Sequence, residues 1–526
     1  MSPSQDPQAS QSELVQRLLD CADCFPHGRE DRQHIETHIS HLLLVGEYVY
    51  KLKKPVDLGF LDFSTLEKRQ RCCEEELRLN GRLAPELYLE VVRITGSPQR
   101  PRLEAEGETL EFAVKMRRFQ QRALLSQTPP DEQELDALAS QIAAFHAEIP
   151  PAASDTPWGT PERVLQPMEE NFSLIRGLRH PLLEPDRLDR LQNWTENSLQ
   201  ALQPLLEERR TAGRIRECHG DLHLNNITRF DGRLMPFDGI EFNPGLRWID
   251  TLSDLAFLLM DLQHRGMNQA SSQLLNRYLE LSGDYSGLPL LPFYLLYRAM
   301  VRAKVCAIRF CQTHISKQEA EQQLDEYRRY INLAESVIAM PPAVLLLTHG
   351  VSGSGKSHVA AWLAEQLMGI RIRSDRERRR LFADDSETQR QSRYSDNASA
   401  TTYAHLQAMA GQLLRAGYSV IVDAAFLKQS QRELFFELGR ELHTPVLILD
   451  CQASEAVLRQ RISDRAAAEV DPSEADLSVL QRQLDLSEPL SMQEQSRSVQ
   501  IDSEQFPPAG LMARVLQVLI GQDTDG

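Results

Sequence analysis

The chain has 526 residues, and because a single hydrophobic core stops growing near about 250–300 residues, at least two domains are expected. Its net charge of −17 repels a phosphate backbone at long range, which disfavours a nucleic-acid partner and favours neutral or cationic small molecules. No stretch approaches the roughly 18 apolar residues of a membrane span, and the polar N-terminus is unlike a secretory signal. We therefore expect a cytoplasmic protein without membrane contact, and the composition leaves its oligomeric state open.

An amphipathic helix is predicted over about residues 12–24, and it contains two of the eight cysteines. Cys21 and Cys24 have the spacing of metal ligands, but no second CxxC pair or HxxxH completes a zinc site. In a reducing compartment we expect both to be ordinary thiols.

The next segment predicts a small lobe rich in strands, over about residues 30–120. Apolar runs on either side of a Gly-Glu pair at 46–47 predict a β-hairpin. The stretch 66–82, rich in Glu, Arg and Leu, predicts a helix. Two further strands are predicted at 87–94 and 109–116.

From Glu132 the pattern becomes helical and defines a larger lobe over about residues 121–340. Strand-like segments return between residues 215 and 242, and helices then continue to the end of this lobe. The two lobes together predict one α+β domain over residues 1–340.

The larger lobe contains the motif His219-Gly220-Asp221, and Asn226 follows the aspartate by five residues. This motif resembles the HGDxxxxN catalytic loop of aminoglycoside phosphotransferases, choline kinases and fructosamine kinases, and the resemblance covers roughly residues 30–335. It implies a protein-kinase-like fold in which Asp221 orients or deprotonates the acceptor hydroxyl and Asn226 binds Mg²⁺. The chemistry agrees, because phosphoryl transfer needs an aligned hydroxyl and a metal ion across the phosphate oxygens.

Three further positions belong to this resemblance. Asp238 resembles the second metal-binding aspartate, the counterpart of the protein-kinase D-F-G residue. Lys51 aligns best with the strand lysine that contacts the nucleotide phosphates, and Lys53, on the same face of that strand, is the alternative. The candidates for the partner of this lysine are Glu74, Glu75 and Glu76. Glu76 is preferred because the residues after it match related sequences. The sequence departs from the family pattern in one respect: no glycine-rich phosphate loop is evident between residues 34 and 50.

After Pro341-Pro342 an apolar strand begins a second domain, over residues 341–526, in which strands and helices alternate. This alternation predicts an α/β domain with a parallel sheet. Residues 350–357 fit the P-loop pattern GxxxxGK[ST] and lie between a predicted strand and a predicted helix. The residues expected to surround the nucleotide phosphates are Gly350, Ser352, Gly353, Ser354, Gly355 and Lys356. We count Lys356 as catalytic because it would reach the β and γ phosphates, and Ser357 would hold Mg²⁺.

With this motif in that position, the second domain also resembles AAA-family ATPases in the wider sense. Over about residues 343–520 it resembles P-loop kinases of the group that includes gluconate kinase, chloramphenicol phosphotransferase, zeta toxins and polynucleotide kinase. The resemblance implies that Asp375 takes the proton of the acceptor hydroxyl and that Arg378 holds the substrate or the transferring phosphate. The alternative for both residues is the solvated, charged start of a helix.

Three more residues carry the same resemblance. Asp423 ends a predicted strand and resembles an acceptor-side aspartate, with a helix N-cap as the alternative. Arg461 and Arg465 lie four residues apart on a predicted helix and resemble the lid arginines that close over the triphosphate. A solvent-exposed helix face is the alternative for this pair.

Three functions remain open at this point. The first is an ATP-dependent phosphotransferase in which both halves use ATP and Mg²⁺ to phosphorylate hydroxyl groups of small molecules. The second is a regulatory ATP-binding protein whose N-terminal half is a degenerate kinase, which the intact Asp221, Asn226 and Asp238 disfavour. The third is a polynucleotide kinase in the C-terminal half, which the basic cluster at residues 376–380 favours and the net charge disfavours.

Overall fold

The computed structural model describes residues 7–21, 23–25, 27, 31–59, 61–313, 315–339, 341–382, 396–468, 477–507 and 510–523. For residues 7, 396, 465–468 and 520–523 only the backbone is described. The chain forms two compact units. The first comprises Met1–Asp261 with Tyr297–Tyr327, and the second comprises Leu262–Leu296 with Arg328–Gly526. None of the described helices has both the length and the apolar character that crossing a lipid bilayer requires.

The first unit begins with a six-stranded antiparallel sheet in the order β1-β2-β3-β6-β4-β5. Its strands are β1 (Arg32–Glu36), β2 (Ser40–Val45), β3 (Tyr48–Lys53), β4 (Tyr88–Ser97), β5 (Arg100–Leu103) and β6 (Thr109–Arg117). Val45 pairs with Tyr48 across the turn at Gly46, whose φ of 56° suits glycine, and this confirms the predicted hairpin. The helix that follows this hairpin packs on β4 and β6.

Helices dominate the rest of the first 340 residues. The helices are α1 (Pro7–Asp20), α2 (Leu66–Asn80), α3 (Glu132–Glu148), α4 (Pro161–Gly177), α5 (Pro185–Thr211), α6 (Pro244–Arg247), α7 (Thr251–His264), α8 (Asn268–Ser282), α9 (Leu291–Phe310) and α10 (Lys317–Ile338). Two short antiparallel pairs interrupt them: β7 (Ile215–Glu217) with β10 (Trp248–Asp250), and β8 (Ile227–Phe230) with β9 (Arg233–Pro236). The HGD motif lies in the loop between β7 and β8.

The second unit contains a five-stranded parallel sheet in the order β12-β13-β11-β14-β15. Its strands are β11 (Leu345–His349), β12 (Ile370–Arg373), β13 (Val420–Asp423), β14 (Val446–Gln452) and β15 (Ser498–Asp502). The helices are α11 (Lys356–Leu367), α12 (Ser374–Leu381), α13 (Asp396–Arg415), α14 (Gln429–Glu441), α15 (Glu455–Ala468), α16 (Leu477–Leu486), α17 (Met492–Gln495) and α18 (Leu511–Asp523). The strand order reverses at β11, and such a reversal opens a ligand crevice at the carboxyl ends of the strands.

Helix α8 is part of the second unit and packs against α11 and β12. Ser272 Oγ donates to Ala364 O at 3.0 Å. Asn276 donates to Gly369 O at 3.0 Å and accepts from Arg371 N at 2.7 Å. The compact unit that contains the P-loop therefore also includes Leu262–Leu296. The domain boundary predicted near residue 340 stays a prediction.

The predicted fold classes are confirmed: an α+β protein-kinase-like N-terminal domain and an α/β P-loop domain with a parallel sheet. The prediction of free thiols at Cys21 and Cys24 is wrong, because the two form a disulfide. Helix α1 ends at Asp20, earlier than expected, and the cysteines after it have Cα atoms 5.6 Å apart, which is within disulfide reach. Strands β1, β5, β10 and β15 were not predicted.

Candidate active sites

The HGD loop of the first unit brings its two predicted catalytic residues into direct contact. Asn226 ends a 3₁₀ turn (Leu224–Asn226), and its Nδ2 donates to Asp221 Oδ2 at 2.9 Å and to Asp221 O at 3.0 Å. His223 Nε2 lies 3.4 Å from the same carboxylate, whose side chain is 35% exposed. Asp221 is therefore held firmly and still faces solvent, as a residue that contacts an acceptor hydroxyl must.

Asp254 on α7 fixes the backbone of this loop. Its carboxylate accepts from His219 N at 3.2 Å and from Gly220 N at 2.8 Å. His146 Nε2 lies 3.2 Å from the same carboxylate, and both side chains are buried. On the other side, Arg298 donates to Gly220 O at 3.1 Å. The loop geometry thus depends on buried groups from three helices.

Buried histidines set the charge state of the loop. His219 Nε2 donates to Phe237 O at 3.0 Å, while its Nδ1 accepts from Asp221 N at 3.3 Å, and this pattern belongs to the neutral ring. Burial lowers the pKa of His219, which agrees with that tautomer. Burial would raise the pKa of Asp221, but His223 and Arg302 outweigh it and hold that pKa well below the usual value. Asp221 is consequently ionised at neutral pH.

An ion-pair cluster joins β3, α2 and the segment after β9. Lys51 Nζ lies 2.7 Å from Glu76 Oε1 and 2.5 Å from Asp238 Oδ1. Lys53 Nζ pairs with the other oxygen of Glu76 and with Glu241. Burial would raise the pKa of Glu76, but the two lysines outweigh it and lower that pKa. Lys51 reaches Asp238 and keeps some exposure, whereas Lys53 is completely buried, so Lys51 has the better position for a nucleotide.

Of the three candidate glutamates, Glu76 is the one that faces β3. Glu74 accepts a hydrogen bond from Gln70, and Glu75 pairs with Arg78. Glu76 shares the buried side of α2 with Cys73 and Asn80. These positions are three or four residues apart, so the helical period separates Glu76 from its neighbours. The role of the pair in nucleotide binding stays a prediction.

Asp238 has an unusual backbone conformation that directs its carboxylate. Its φ is 61°, in the left-handed region, and its N–H donates to Tyr88 Oη at 3.1 Å. Phe237 N donates to Asn226 O at 2.9 Å, which sets Asp238 beside the HGD loop. Asn226 and Asp238 provide the oxygen ligands that Mg²⁺ prefers, so these residues fit a magnesium ion.

In the second unit the P-loop follows β11, and α11 begins at Lys356. Gly350, Gly353 and Gly355 have φ values of 135°, 84° and 84°, which side chains rarely adopt. A Cβ at Gly350 would lie 2.6 Å from both Cys451 O and Ser354 Oγ. The buried Ser354 Oγ has no hydrogen-bond partner among the described residues. The loop is thus a tight concave turn at a helix N-terminus, which fits nucleotide phosphates.

The predicted metal ligand and a strand-end aspartate meet beside this loop. Ser357 Oγ lies 3.2 Å from Asp423 Oδ1, and Asp423 is buried at the carboxyl end of β13. Lys356 Nζ donates to Val351 O at 2.7 Å. The serine hydroxyl and the carboxylate are oxygen ligands of the kind that Mg²⁺ prefers, so these two residues could hold it. Asp423 was predicted to contact the acceptor. Its side-chain hydrogen bond is with Ser357 instead, so the acceptor role stays a prediction.

A cavity of about 440 Å³ lies at this edge of the sheet. Its lining includes Lys356, Ser357, Asp375, Arg378, Tyr403 and Asp423. Burial and the nearby Asp423 raise the pKa of Asp375, and Arg378 opposes this shift. A carboxylate with a raised pKa is a stronger base, so Asp375 suits the proton transfer predicted for it. The structure therefore brings the P-loop and the predicted acceptor residues to one cavity.

Arg461 lies in a second cavity, of about 380 Å³, that shares Gly353, Gly355 and His358 with the first. Its guanidinium donates to Gly353 O at 3.0 Å and to Ser503 O at 2.9 Å. It therefore supports the back of the P-loop, and closure over a triphosphate stays a prediction. The side chain of Arg465 lies outside the described residues.

Sequence reasoning missed several residues at both sites. Glu241 follows Asp238 by three positions, but an acidic residue in a loop is too common to indicate a buried pair with Lys53. Arg373 precedes the predicted Asp375, yet only the parallel pairing of β12 with β13 brings its Nε within 3.8 Å of Asp423 Oδ2. Neither residue forms part of a recognisable local pattern.

A protein-kinase-like domain and a P-loop kinase domain in one chain define the class of protein as a phosphotransferase. The sequence matches the phosphotransferase enzyme family over residues 60–290 and an AAA domain over residues 345–490. Uncharacterized protein Rv2004c of Mycobacterium tuberculosis and uncharacterized protein Mb2027c of Mycobacterium bovis are each 30% identical to it over 460 residues, which is 85% of this chain and 90% of the relative. The chain therefore belongs to the same family as these mycobacterial proteins.

Solved structures resemble parts of the chain. The amicoumacin kinase hAmiN, in complex with AMP-PNP, Ca²⁺ and Ami, is 13% identical and has a TM-score of 0.39, and the likeness covers 61% of this chain and 93% of that one. A gluconokinase from Sinorhizobium meliloti 1021 is 25% identical with a TM-score of 0.25, over 35% of this chain and 93% of that one.

Proposed function

We propose that each half of the chain transfers the γ-phosphoryl group of ATP to a hydroxyl group of a small molecule, with Mg²⁺ as the second cofactor. The observation that carries the proposal is a single cavity lined by Lys356 and Ser357 of the P-loop and by Asp375 and Arg378. ATP as the donor also fits the cytoplasmic location expected from the sequence.

In the C-terminal site, the P-loop amides and Lys356 would bind the phosphates of ATP. The neighbouring cavity, where His358 and Phe506 have ring centroids 4.6 Å apart, offers an aromatic surface for the base. Ser357 and Asp423 would hold Mg²⁺, which neutralises charge on the phosphate oxygens when bound. Asp375 would accept the proton of the acceptor hydroxyl, and Arg378 would face the negative charge of the transferring group.

In the N-terminal site, Asp221 would orient the acceptor hydroxyl and accept its proton. The carboxylate is ionised and rigid because His223 and Asn226 contact it. Asn226 and Asp238 would hold the metal ion, and Lys51, fixed by Glu76, would contact the phosphates of ATP. Fixing these groups before the substrate arrives lowers the entropic cost of alignment.

The test is a screen of hydroxylated metabolites with ATP labelled in the γ position, using the full-length chain. Lys356→Ala should lower transfer to one class of acceptor by about 10²–10⁴-fold, and Asp221→Asn should lower transfer to another class by a similar factor. The double variant should transfer nothing. A double variant that keeps wild-type transfer would rule the proposal out. An oligonucleotide with a free 5′-hydroxyl belongs in the panel, because its phosphorylation would support the polynucleotide kinase alternative.

One observation favours a second candidate, in which the N-terminal half senses ATP without transferring phosphate. The turn between β1 and β2, residues 37–39, is short and contains no glycine, so it is unlike a phosphate-covering loop. In that case the Lys356→Ala chain would bind ATP and transfer phosphate to none of the acceptors.

A further inference from the structure

Glu280, near the end of α8, is a buried carboxylate that belongs to neither set of site residues described above. Its side chain is 1% exposed and faces three guanidinium groups of the same compact unit. Arg371 Nη2 pairs with Oε1, Arg373 Nη1 lies 3.4 Å from Oε2, and Arg277 Nη1 lies 3.6 Å from Oε2. Burial would raise the pKa of Glu280, but Arg371 and Arg373 outweigh it and lower that pKa, so the group is ionised.

Two of these arginines continue to the P-loop site. Arg371 Nη1 donates to Ser357 O at 3.1 Å. Arg373 Nε lies 3.8 Å from Asp423 Oδ2, and Asp423 Oδ1 lies 3.2 Å from Ser357 Oγ. The contacts form a closed network in which Glu280 connects to both groups that fit the metal ion.

The network needs Glu280 for an electrostatic reason. Arg371 and Arg373 are each only 14% exposed, and buried guanidinium groups require a nearby carboxylate. We expect that removing the charge of Glu280 strengthens the pull of Arg373 on Asp423 Oδ2, which lies 3.8 Å from its Nε, and so weakens the contact of Asp423 with Ser357. Helix α8 is also docked by the neutral side chains of Ser272 and Asn276, so the charge of Glu280 can be changed without altering these two contacts.

We propose that Glu280 is a positioning residue of the C-terminal site, which holds Arg371 and Arg373 so that Ser357 and Asp423 keep the geometry that binds Mg²⁺. This inference rests on the proposed function of that site. It assigns a part in the P-loop site to a residue outside the AAA match at 345–490 and inside the phosphotransferase match at 60–290.

The experiment is calorimetric ATP binding by the full-length chain, with Mg²⁺ and with excess EDTA. In the proposed function the N-terminal site also binds ATP. The quantity to compare is therefore the ATP binding by the C-terminal site, measured as the difference between each chain and its Lys356→Ala counterpart. Glu280→Gln should reduce the gain in affinity that Mg²⁺ provides by about 10–100-fold, as supporting residues of metal sites do. Ser272→Ala, which loosens α8 without changing charge, should keep the wild-type gain.

Two further variants separate positioning from folding. Glu280→Asp keeps the charge with a shorter reach, so it should restore part of the gain and serves as the test if Glu280→Gln does not fold. Arg373→Gln combined with Glu280→Gln should lose no more than Glu280→Gln alone, because the two act in one network. Glu280→Gln could lower the melting temperature and still show the same Mg²⁺-dependent gain in ATP affinity as Ser272→Ala. That result would overturn the inference. A wild-type chain without Lys356-dependent ATP binding would instead overturn the proposed function itself.

Discussion

Lys51 and Lys53 share a single buried carboxylate, Glu76, in the N-terminal unit. Glu76→Gln would leave the two ammonium groups with Asp238 and Glu241 as their carboxylate partners among the described residues. Losing one member of a buried pair costs about 3–5 kcal/mol, so the first unit should unfold at a clearly lower urea concentration. Urea titration with a probe in residues 30–120 measures this.

Glu74 provides the matched control, because it lies on the same helix and is exposed. Among the described residues, its side-chain hydrogen bond is with Gln70. Glu74→Gln should change the unfolding free energy by less than about 0.5 kcal/mol. Equal losses in the two variants would show that the lysine cluster contributes nothing specific.

Asp375 must be ionised to accept a proton, and burial and Asp423 raise its pKa. The rate of the C-terminal site should therefore fall on acidification at a higher pH than an ordinary aspartate, with a pKa of about 3.9, would give. The measurement is the pH profile of kcat/KM in the Asp221→Asn background. Asp375→Asn should lower the rate by about 10²–10⁴-fold, and an unchanged acidic limb in that variant would contradict the assignment.

The P-loop of the second unit leaves little room for a side chain at Gly350. At Gly350 both the φ of 135° and the 2.6 Å approach to Cys451 O exclude a side chain. Gly350→Ala should distort the loop and lower ATP affinity by at least about tenfold, since phosphate binding uses the loop amides. Calorimetry with ATP and Mg²⁺ measures the loss.

Gly177, at the end of α4, is the control glycine. Its added Cβ would meet nothing within 4 Å, and its φ is not positive. Gly177→Ala should leave ATP binding unchanged and stabilise the chain slightly, because alanine favours the helix. If both glycine variants kept wild-type affinity, the loop would not be the phosphate site.

At the level of the whole chain, the second unit extends beyond the predicted domain at 341–526, because Leu262–Leu296 belongs to it. A fragment that starts at Pro341 would lack Ser272, Asn276 and Glu280. Its β12 and α11 would lose their contacts with α8 and expose amides that the full chain protects.

Hydrogen exchange followed by mass spectrometry tests this expectation. Peptides from β12 and α11 should exchange faster in the fragment than in the full chain, whereas β15, at the other edge of the sheet, should change least. Equal protection of β12 in both would show that the P-loop domain folds independently of α8.

Short-range patterns made much of the fold and part of each site predictable. The P-loop and the HGD motif each place their functional groups within eight consecutive residues, so chain geometry fixes the distances between them. The helical period could also identify Glu76, since it follows the buried Cys73 by three positions on α2. The hairpin at 46–47 and the main strands of both sheets were also predicted from local patterns, namely apolar runs bounded by turn residues.

Other features depended on pairs that are far apart in the chain. Lys53 contacts Glu241 across 188 residues, and Arg371 contacts Glu280 across 91. No local pattern marks such pairs, because any charged residue can pair with many others until the backbone brings two of them together. The amino-acid sequence therefore established the phosphoryl-transfer motifs, and packing between distant segments settled which charges hold those motifs in place.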